Sequence, residues 1–381
     1  MIFSTDILNN QWYLLILGLL ILGLLLNLII YIGSYMKINK FIPEPPELND
    51  QKHPVSVIIC ARNEADNLTE FLPKILSQNY PEFEVVVVND CSWDNTEDVI
   101  REYKDIFPNL KSIVVKEDPY YKHGKKFALM VGIKGAKYEH LLFTDADCVP
   151  ESDLWIEEMM KGFSHNKEIV IGYGPYQKQK GFINKLIRYD SFSIALNYLS
   201  AGINKVPYMG VGRNMAYKKD LFFKVKGFAN HYHLLSGDDD LFVNHAANSL
   251  NTSVVISENS FTYSIPKQNF KDWCTQKMRH LTTSPYYNSS TKNKLAFLHF
   301  SNYLFHLSLF AGLIFPKLLI PVLSIWLIKL IFQYMIFNGA MKKLNERDLI
   351  VFIIIFDILL LFIYPFLHVG KKIVKQTKWK T

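Results

Sequence analysis

Carboxylates gather at three places in this chain of 381 residues, each close behind an apolar or small-residue run. Asp90 follows Val85-Val86-Val87-Val88-Asn89; Asp145 and Asp147 follow Leu141-Leu142-Phe143-Thr144; Asp238, Asp239 and Asp240 follow Ser236-Gly237. A lone Asp at a strand end can accept the imide N–H of uracil or a ribose hydroxyl. As a plain sequence feature, Asp90 to Thr96 is a turn, with Asp94 to Thr96 capping the next helix. Two acids two residues apart in an extended segment point to the same side. Left uncompensated, such a pair costs free energy unless a cation sits there. Oxygen ligands of this kind suit Mg²⁺ or Mn²⁺, ions that commonly also hold substrate phosphates. An acidic turn is the plainer reading. Three adjacent acids before a helix favour its dipole, or they supply a general base whose pKa is raised by like-charged neighbours.

Three further polar segments have the right company. Ala61-Arg62-Asn63-Glu64 closes an apolar run and opens a helical pattern. It reads either as a helix start capped by Asn63, with Glu64 favouring the dipole, or as polar groups that hold a nucleotide base. Gly210-Val211-Gly212-Arg213-Asn214 lets backbone approach a ligand closely, although one GxG is weak by itself. Gln276-Lys277-Met278-Arg279-His280 lies on an amphipathic segment, where Arg279 either clamps a diphosphate or snorkels at a membrane surface.

The elements that must position these groups follow from hydrophobic periodicity. Strands are expected over 55–60, 84–89, 112–115 and 140–144, and helices over 64–79, 96–107 and 125–136. Such alternation implies parallel strands with crossover helices, hence an α/β fold whose ligands sit beyond the carboxyl ends of the strands. Continuous apolar strands are what a sheet covered on both faces requires. A nucleotide-binding half is expected over 54–150. The apolar helix around 182–199, with Phe182, Leu186, Ile194, Tyr198 and Leu199, is either a membrane-interface helix or a core helix.

Hydrophobic residues make up 49% of the chain, and the excess sits at its two ends. Residues 12–36 are apolar for long enough to span a bilayer. No Lys or Arg precedes them and no small-residue cleavage site follows, so they read as a retained anchor. Lys37 and Lys40 place the downstream side in the cytosol, which leaves 1–11 as a short non-cytosolic N-terminus. Residues 37–53 form a linker containing Pro43-Glu44-Pro45-Pro46, stiff and extended. Three more apolar stretches, 295–315, 318–337 and 349–369, make two or three transmembrane or re-entrant helices within 295–370. Lys342, Lys343 and Arg347 on one side of the last stretch, and the lysine-rich tail 371–381 on the other, both favour the cytosol, which one span cannot satisfy. The net charge of +7 is mostly lysine and fits solvated side chains near a membrane; no basic stripe or module points to nucleic acid. Cys60, Cys91, Cys148 and Cys274 show no zinc spacing, and are expected as buried free thiols in a reducing compartment.

In this order and spacing, the six segments resemble the family 2 glycosyltransferases with the A-type fold, over about residues 54–285. The membrane-bound members include polysaccharide synthases and ceramide glucosyltransferase. The resemblance implies a mixed central sheet, with an acceptor and catalytic half over 151–294 after the nucleotide-binding half, flanked here by N- and C-terminal transmembrane helices. It implies that Ala61, Asn63, Glu64, Asp90, Lys125, Asp145, Gly212, Asn214, Gln276 and Arg279 bind the nucleotide-sugar. Asp145 and Asp147 match the DxD metal motif, with Mg²⁺ or Mn²⁺ as cofactor. Asp238 or Asp239 is the catalytic base: the distance to Leu241 favours the first, the acid pair the second. His280 stands where the processive synthases carry Trp, which puts processivity in doubt.

The expected activity is inverting, metal-dependent transfer of a sugar, UDP-linked by expectation, to a lipid or lipid-linked glycan in cell-envelope or polysaccharide biosynthesis. The enzyme would be a multi-pass protein of the cell (inner) membrane with its catalytic domain in the cytosol; other envelope-biosynthesis proteins are possible partners. The alternatives are a processive polysaccharide synthase, a non-catalytic assembly subunit with a transferase-like domain, and a nucleotidyltransferase. The last would carry a Gly-rich basic loop where this chain has Ala61-Arg62-Asn63-Glu64.

Overall fold

The structure, a computed structural model, describes residues 10–43, 52–117 and 124–370. The chain divides into two compact units: Met1–Phe41 with Asn288–Phe362, and Ile42–Tyr287 with Ile363–Thr381. In chain order the helices and strands are α1 Gln11–Ile30, α2 Met36–Lys40, β1 Val55–Ala61, α3 Ala65–Leu76, β2 Phe83–Asp90, α4 Thr96–Ile106 and β3 Leu110–Val115. They continue with α5 Lys125–Gly135, β4 His140–Asp145, β5 Cys148–Pro150, α6 Trp155–Met160, β6 Ile169–Ile171, α7 Phe182–Ile203 and β7 Met215–Lys218. The rest are α8 Lys219–Lys224, α9 Asp240–Ala246, β8 Thr252–Val254, β9 Thr262–Ser264, α10 Phe270–His280, α11 Ser289–Leu313, α12 Leu319–Lys343 and α13 Ile353–Gly370.

The second unit is built on a mixed seven-stranded sheet of order β3-β2-β1-β4-β7-β6-β8. β3, β2, β1 and β4 are mutually parallel; β7 runs antiparallel to β4 and β6, and β8 is parallel to β6. A two-stranded sheet, β5 with β9, lies beside it. All of β1 is buried, because helices cover both faces of the parallel strands. Leu68, Leu72 and Ile75 of α3 pack with Val57, Ile59, Val85 and Val87 in one core cluster. On α5, a Cβ at Gly132 would come within 2.9 Å of the Ile58 and Val88 side chains. A glycine there lets the helix lie close on the sheet and fixes where its first residue, Lys125, stands. α7 is a core helix of this unit: Leu186, Tyr198 and Leu199 are buried and Ile194 half-buried, with only Phe182 of the five residues exposed. The interface reading of that helix gives way to packing.

In the first unit, α1, a π-helical turn Tyr31–Tyr35 and α2 form one rod, Gln11–Lys40. The helix therefore outlasts the apolar run, and the linker begins after Lys40 rather than at residue 37. Gln11–Lys40, Pro316–Lys343 and Arg347–Gly370 are long and apolar enough to cross a bilayer, the mark of a membrane protein. The apolar stretch 295–315 is carried by α11 up to its end at Leu313; the first turns of α11 are polar, and it is not among those three. α11 packs along α1 so tightly that a Cβ at Gly23 would sit 2.8 Å from the Phe305 backbone. The Asn27 amide bridges the two helices, donating to the Gly23 carbonyl (2.8 Å) and the Ser301 carbonyl (3.0 Å). The N-terminal residues 1–9, most of the Pro-rich linker, His123 and the lysine tail lie outside the described residues.

Candidate active site

Parallel strands in register bring their carboxyl ends to one edge. Cys60 of β1 stands opposite Val88 of β2 and Asp145 of β4, so the last residues of three strands, Ala61, Asp90 and Asp145, share that edge. One pocket there is lined by Cys60, Lys125, Asp145, Gly212, Asp238 and Asp239 among others. It brings Asp145 of the acid pair, Gly212 of the Gly210–Asn214 segment and two of the 238–240 acids together in one place.

Lys125 is its hub. The ammonium donates to Asp145 Oδ1 at 2.7 Å and lies 3.2 Å from Asp238 Oδ2. A cation in the first turn of α5 opposes the helix dipole, so these carboxylates are what hold it there. Burial would lower the Lys125 pKa, but Asp145, Asp238 and Asp239 outweigh it and raise the value. Asp145 is therefore not left uncompensated even without a bound cation: the chain supplies its own counter-charge through Lys125.

The three acids of 238–240 are chemically distinct. Burial favours the neutral form of Asp238, yet Lys125, a backbone N–H and Lys126 hold its pKa below the usual carboxylate range. Asp239 caps α9: its Oδ1 accepts from the Asp240 N–H and its Oδ2 from the Gly212 N–H, both at 2.8 Å. Burial first, then the charges of Asp238 and Asp240, push Asp239 up to about 7. Asp240 is occupied structurally, its Oδ2 accepting from the Thr283 hydroxyl at 2.5 Å and the Tyr287 hydroxyl at 2.7 Å. At Gly212 a Cβ would meet Asp239 Oδ2 at 3.4 Å and Lys125 Nζ at 3.6 Å, so a side chain there would grow into the pocket.

Asp145 closes β4 and Asp147 sits in the turn before β5. Ligand atoms of Asp145, Asp147 and Cys148 lie within 4.8 Å of one another. A turn, not the alternation of an extended strand, brings the two acids together. Burial, then Asp147 and Asp145, raise the Cys148 thiol pKa well above its ordinary value. The carboxylates are therefore the ligand-competent groups, and two half-buried carboxylates fit a hard divalent cation such as Mg²⁺ or Mn²⁺. All four cysteines are free thiols, with Cys60, Cys148 and Cys274 buried and Cys91 half-buried.

At the β1–β2 end, Asp90 is fully buried, with the Arg62 guanidinium 3.7 Å away. Arg62 also lies 5.6 Å over the exposed Trp93 ring. Asn63 is no helix cap. It adopts a left-handed conformation, φ 54°, and knits two loops: its N–H donates to Ser92 Oγ and its Oδ1 accepts from the Trp93 N–H, both at 3.0 Å. Glu64 takes the cap position without a side-chain cap bond, while Asp94 receives N–H donors from Ala65 (3.2 Å) and Thr96 (3.0 Å). The Ala61 methyl belongs to the core, which leaves only its backbone available to a ligand.

Asn214 stands apart from the others. It is fully buried, donating to the Tyr173 and Ser260 carbonyls at 2.7 Å each and accepting from Trp155 Nε1 at 3.0 Å. Those bonds use both amide N–H groups and one acceptor position of the oxygen, and they anchor the Gly210–Asn214 segment. Arg213 anchors it too, through the Gly174 carbonyl (2.6 Å), Ser191 Oγ (3.1 Å) and the face of Tyr176 (4.5 Å). On α10, Gln276 Oε1 and Arg279 Nε are buried with no hydrogen-bond partner among the described residues. Native proteins rarely leave such groups unmatched, and a site for a polar ligand is one setting where they occur.

Sequence reasoning did not find Thr283 and Tyr287, which hold Asp240 from beyond α10. Nor did it find Lys126, whose buried ammonium donates to the His231 (2.6 Å) and Leu234 (3.1 Å) carbonyls and ties down the loop before the acids. None of the three lies in a recognisable motif.

Residues 56–225 match the family profile described as Glycosyl transferase family 2. The chain carries a glycosyltransferase family 2 domain. It is 31% identical over 193 residues to the glycosyltransferase AglE of Haloferax volcanii, covering 49% of this chain and 58% of that one. It is 35% identical over 105 residues to the poly-beta-1,6-N-acetyl-D-glucosamine synthase of Staphylococcus epidermidis, covering 28% of this chain and 24% of the synthase. The match thus spans less than two thirds of either relative's length. Among solved structures, a mannosyltransferase from Pyrobaculum calidifontis in complex with GDP-Man and Mn²⁺ superposes over 90% of this chain and 99% of its own, with a TM-score of 0.55 at 17% identity. That likeness carries the GT-A fold.

Proposed function

We propose that this glycosyltransferase domain moves a sugar from a nucleotide-sugar onto a lipid or lipid-linked glycan, with inversion and with a divalent metal. The observation that carries the reading is the gathering of Asp145, Asp238 and Asp239 around Lys125 in one pocket at the carboxyl edge of the sheet. In the proposed step the acceptor hydroxyl oxygen bonds to the anomeric carbon as the bond from that carbon to the phosphate oxygen breaks. The electron pair leaves on the nucleoside diphosphate, and the hydroxyl proton passes to Asp239. Asp239 is the better base of the two candidates because its pKa lies near 7, whereas Lys125 keeps Asp238 a weak one. Asp145 and Asp147 would hold Mg²⁺ or Mn²⁺, which when bound supplies charge stabilisation to the diphosphate. Gln276 and Arg279 would clamp the diphosphate, Lys125 would share its charge, and Asp90 with Arg62 would meet the base.

We place the domain on the cytosolic side of a membrane protein, because Lys37 and Lys40 lie at the domain-side end of the first candidate span, Gln11–Lys40. Similarity to the poly-beta-1,6-N-acetyl-D-glucosamine synthase of Staphylococcus epidermidis supports polysaccharide synthesis as a second reading, with His280 in place of Trp weighing toward single transfer.

Purified protein in detergent, given UDP-, GDP- and dTDP-sugars with Mn²⁺ and a lipid extract, should release nucleoside diphosphate. EDTA should abolish release, and Asp239→Asn should lower it by about 10²–10⁴-fold. No release from any donor would sink the reading in favour of a non-catalytic subunit; pyrophosphate release would mark a nucleotidyltransferase. Product length separates single transfer from polymerisation.

A further inference from the structure

Buried ion pairs are costly to assemble, and removing one partner leaves a charge with no compensation. The glycosyltransferase unit contains such a pair outside the pocket. Asp190 on α7 is fully buried and its Oδ2 contacts the ammonium of Lys277 on α10, itself 7% exposed. The other oxygen of Asp190 accepts from the Tyr364 hydroxyl at 2.6 Å. Tyr364 lies on α13 beyond Phe362, in the stretch that belongs to the same unit as α7 and α10. The end of α13 meets α10 a second time: a Cβ at Gly370 would lie 2.8 Å from the Met278 sulfur. Lys277 and Met278, consecutive on α10, are thus both held by the end of the last helix, one through Asp190 and one directly.

The position of these anchors along α10 gives them their consequence. Lys277 and Met278 sit between Gln276 and Arg279, whose Oε1 and Nε are buried with no hydrogen-bond partner among the described residues. One residue further along α7, Ser191 receives a hydrogen bond from Arg213 of the Gly210–Asn214 segment. A shift or rotation of α10 about its axis would move Gln276 and Arg279 together, and α7 would transmit strain to the segment that donates to Asp239.

We infer that Asp190, Lys277 and Tyr364 are positioning residues that set α10, and with it Gln276 and Arg279, for the nucleoside diphosphate, so that the end of the last helix controls donor affinity. The inference rests on the proposed role of Gln276 and Arg279 toward the diphosphate. No atom of Asp190 or Tyr364 need touch the donor.

Calorimetric titration of the full chain in detergent with Mn²⁺·UDP and Mn²⁺·GDP tests this, with melting temperature measured in parallel. Tyr364→Phe removes one hydroxyl and leaves the ring. It should weaken binding of the preferred nucleotide about 3–10-fold, the scale of one lost hydrogen bond, with donor KM rising more than kcat falls. Gly370→Leu should weaken it as well. Asp190→Asn or Lys277→Met alone should lose more, and the neutral pair Asp190→Asn with Lys277→Met should recover part of the loss. Arg279→Ala separates the two levels of the argument. If it leaves affinity intact, the diphosphate reading fails and takes the inference with it. If it weakens binding while Tyr364→Phe and Gly370→Leu both bind as wild type, the inference alone is overturned. Should Asp190→Asn fail to fold, the Tyr364 and Gly370 variants still decide.

Discussion

Three consecutive aspartates have identical side chains and three different electrostatic settings. Asp238 faces an ammonium, Asp240 two hydroxyls, and Asp239 two backbone N–H groups with like charges on either side. Only Asp239 is pushed up to about 7, by burial and then by its neighbours' charges. A base must be a carboxylate to take a proton, so below that value it is spent and above it competent. The expected profile of kcat/KM, which reports free-enzyme groups, rises through about pH 7 and then levels. Asp239→Asn should be slow at every pH with that limb gone; a limb that persists in the variant would assign the titration to another group. The sequence identified the run of acids, but the spacing of like residues could not rank them. The ranking depends on Lys125, on Gly212 and on residues beyond 280, brought near by folding alone.

Among the elements, long continuous apolar strands were legible, and β1, β2 and β4 lie within two residues of expectation. Burial on both faces requires an unbroken apolar run, which is visible in one dimension. β6, β8 and β9 are three residues each, too short for a period to emerge. The turn joining Asp145 to Asp147 was hidden for a similar reason, since an acid pair looks the same in a strand as across its end. The anchoring role of Asn214 was hidden as well, because its partners, Trp155, Tyr173 and Ser260, are scattered along the chain. The tie between α9 and the segment after α10 makes an element-scale prediction. Removing both hydroxyls with Thr283→Val and Tyr287→Phe leaves the buried Asp240 carboxylate without those donors, at a cost of about 1–3 kcal/mol for the unsatisfied group. Melting temperature should fall, and adding Asp240→Asn should restore part of it; an unchanged melting temperature would mean Asp240 finds other partners.

At the scale of the whole molecule, the unit with the spanning helices is assembled from both ends of the chain, and most of the glycosyltransferase domain lies between them in sequence. Its apolar stretches are legible in the sequence, but the pairing of the polar residues within them is set only by helix packing. Lys329 of α12 is 1% exposed, its ammonium 3.0 Å from Gln333 Oε1 and 3.6 Å from Asp357 Oδ2 of α13; Gln333 Nε2 donates to the same Asp357 oxygen at 2.6 Å. The Lys329 ammonium also lies 5.4 Å over the Phe305 ring of α11. Ionisable groups inside spanning helices are expensive unless paired, and this network links α12 to α13 through charges that satisfy each other. Lys329→Met or Asp357→Asn alone leaves one charge among apolar helices, so each should cost about 3–5 kcal/mol. The double variant removes both charges and should regain most of that stability. Denaturant unfolding in a mild detergent, followed by helix content, measures all three. If the single variants unfold as wild type does, the pair is solvated rather than buried between the helices; if the double variant is as weak as either single one, Gln333 and the geometry of the network matter more than charge balance. The double variant should also keep the pH profile expected for Asp239, because the network lies within the spanning unit and shares no residue with the pocket.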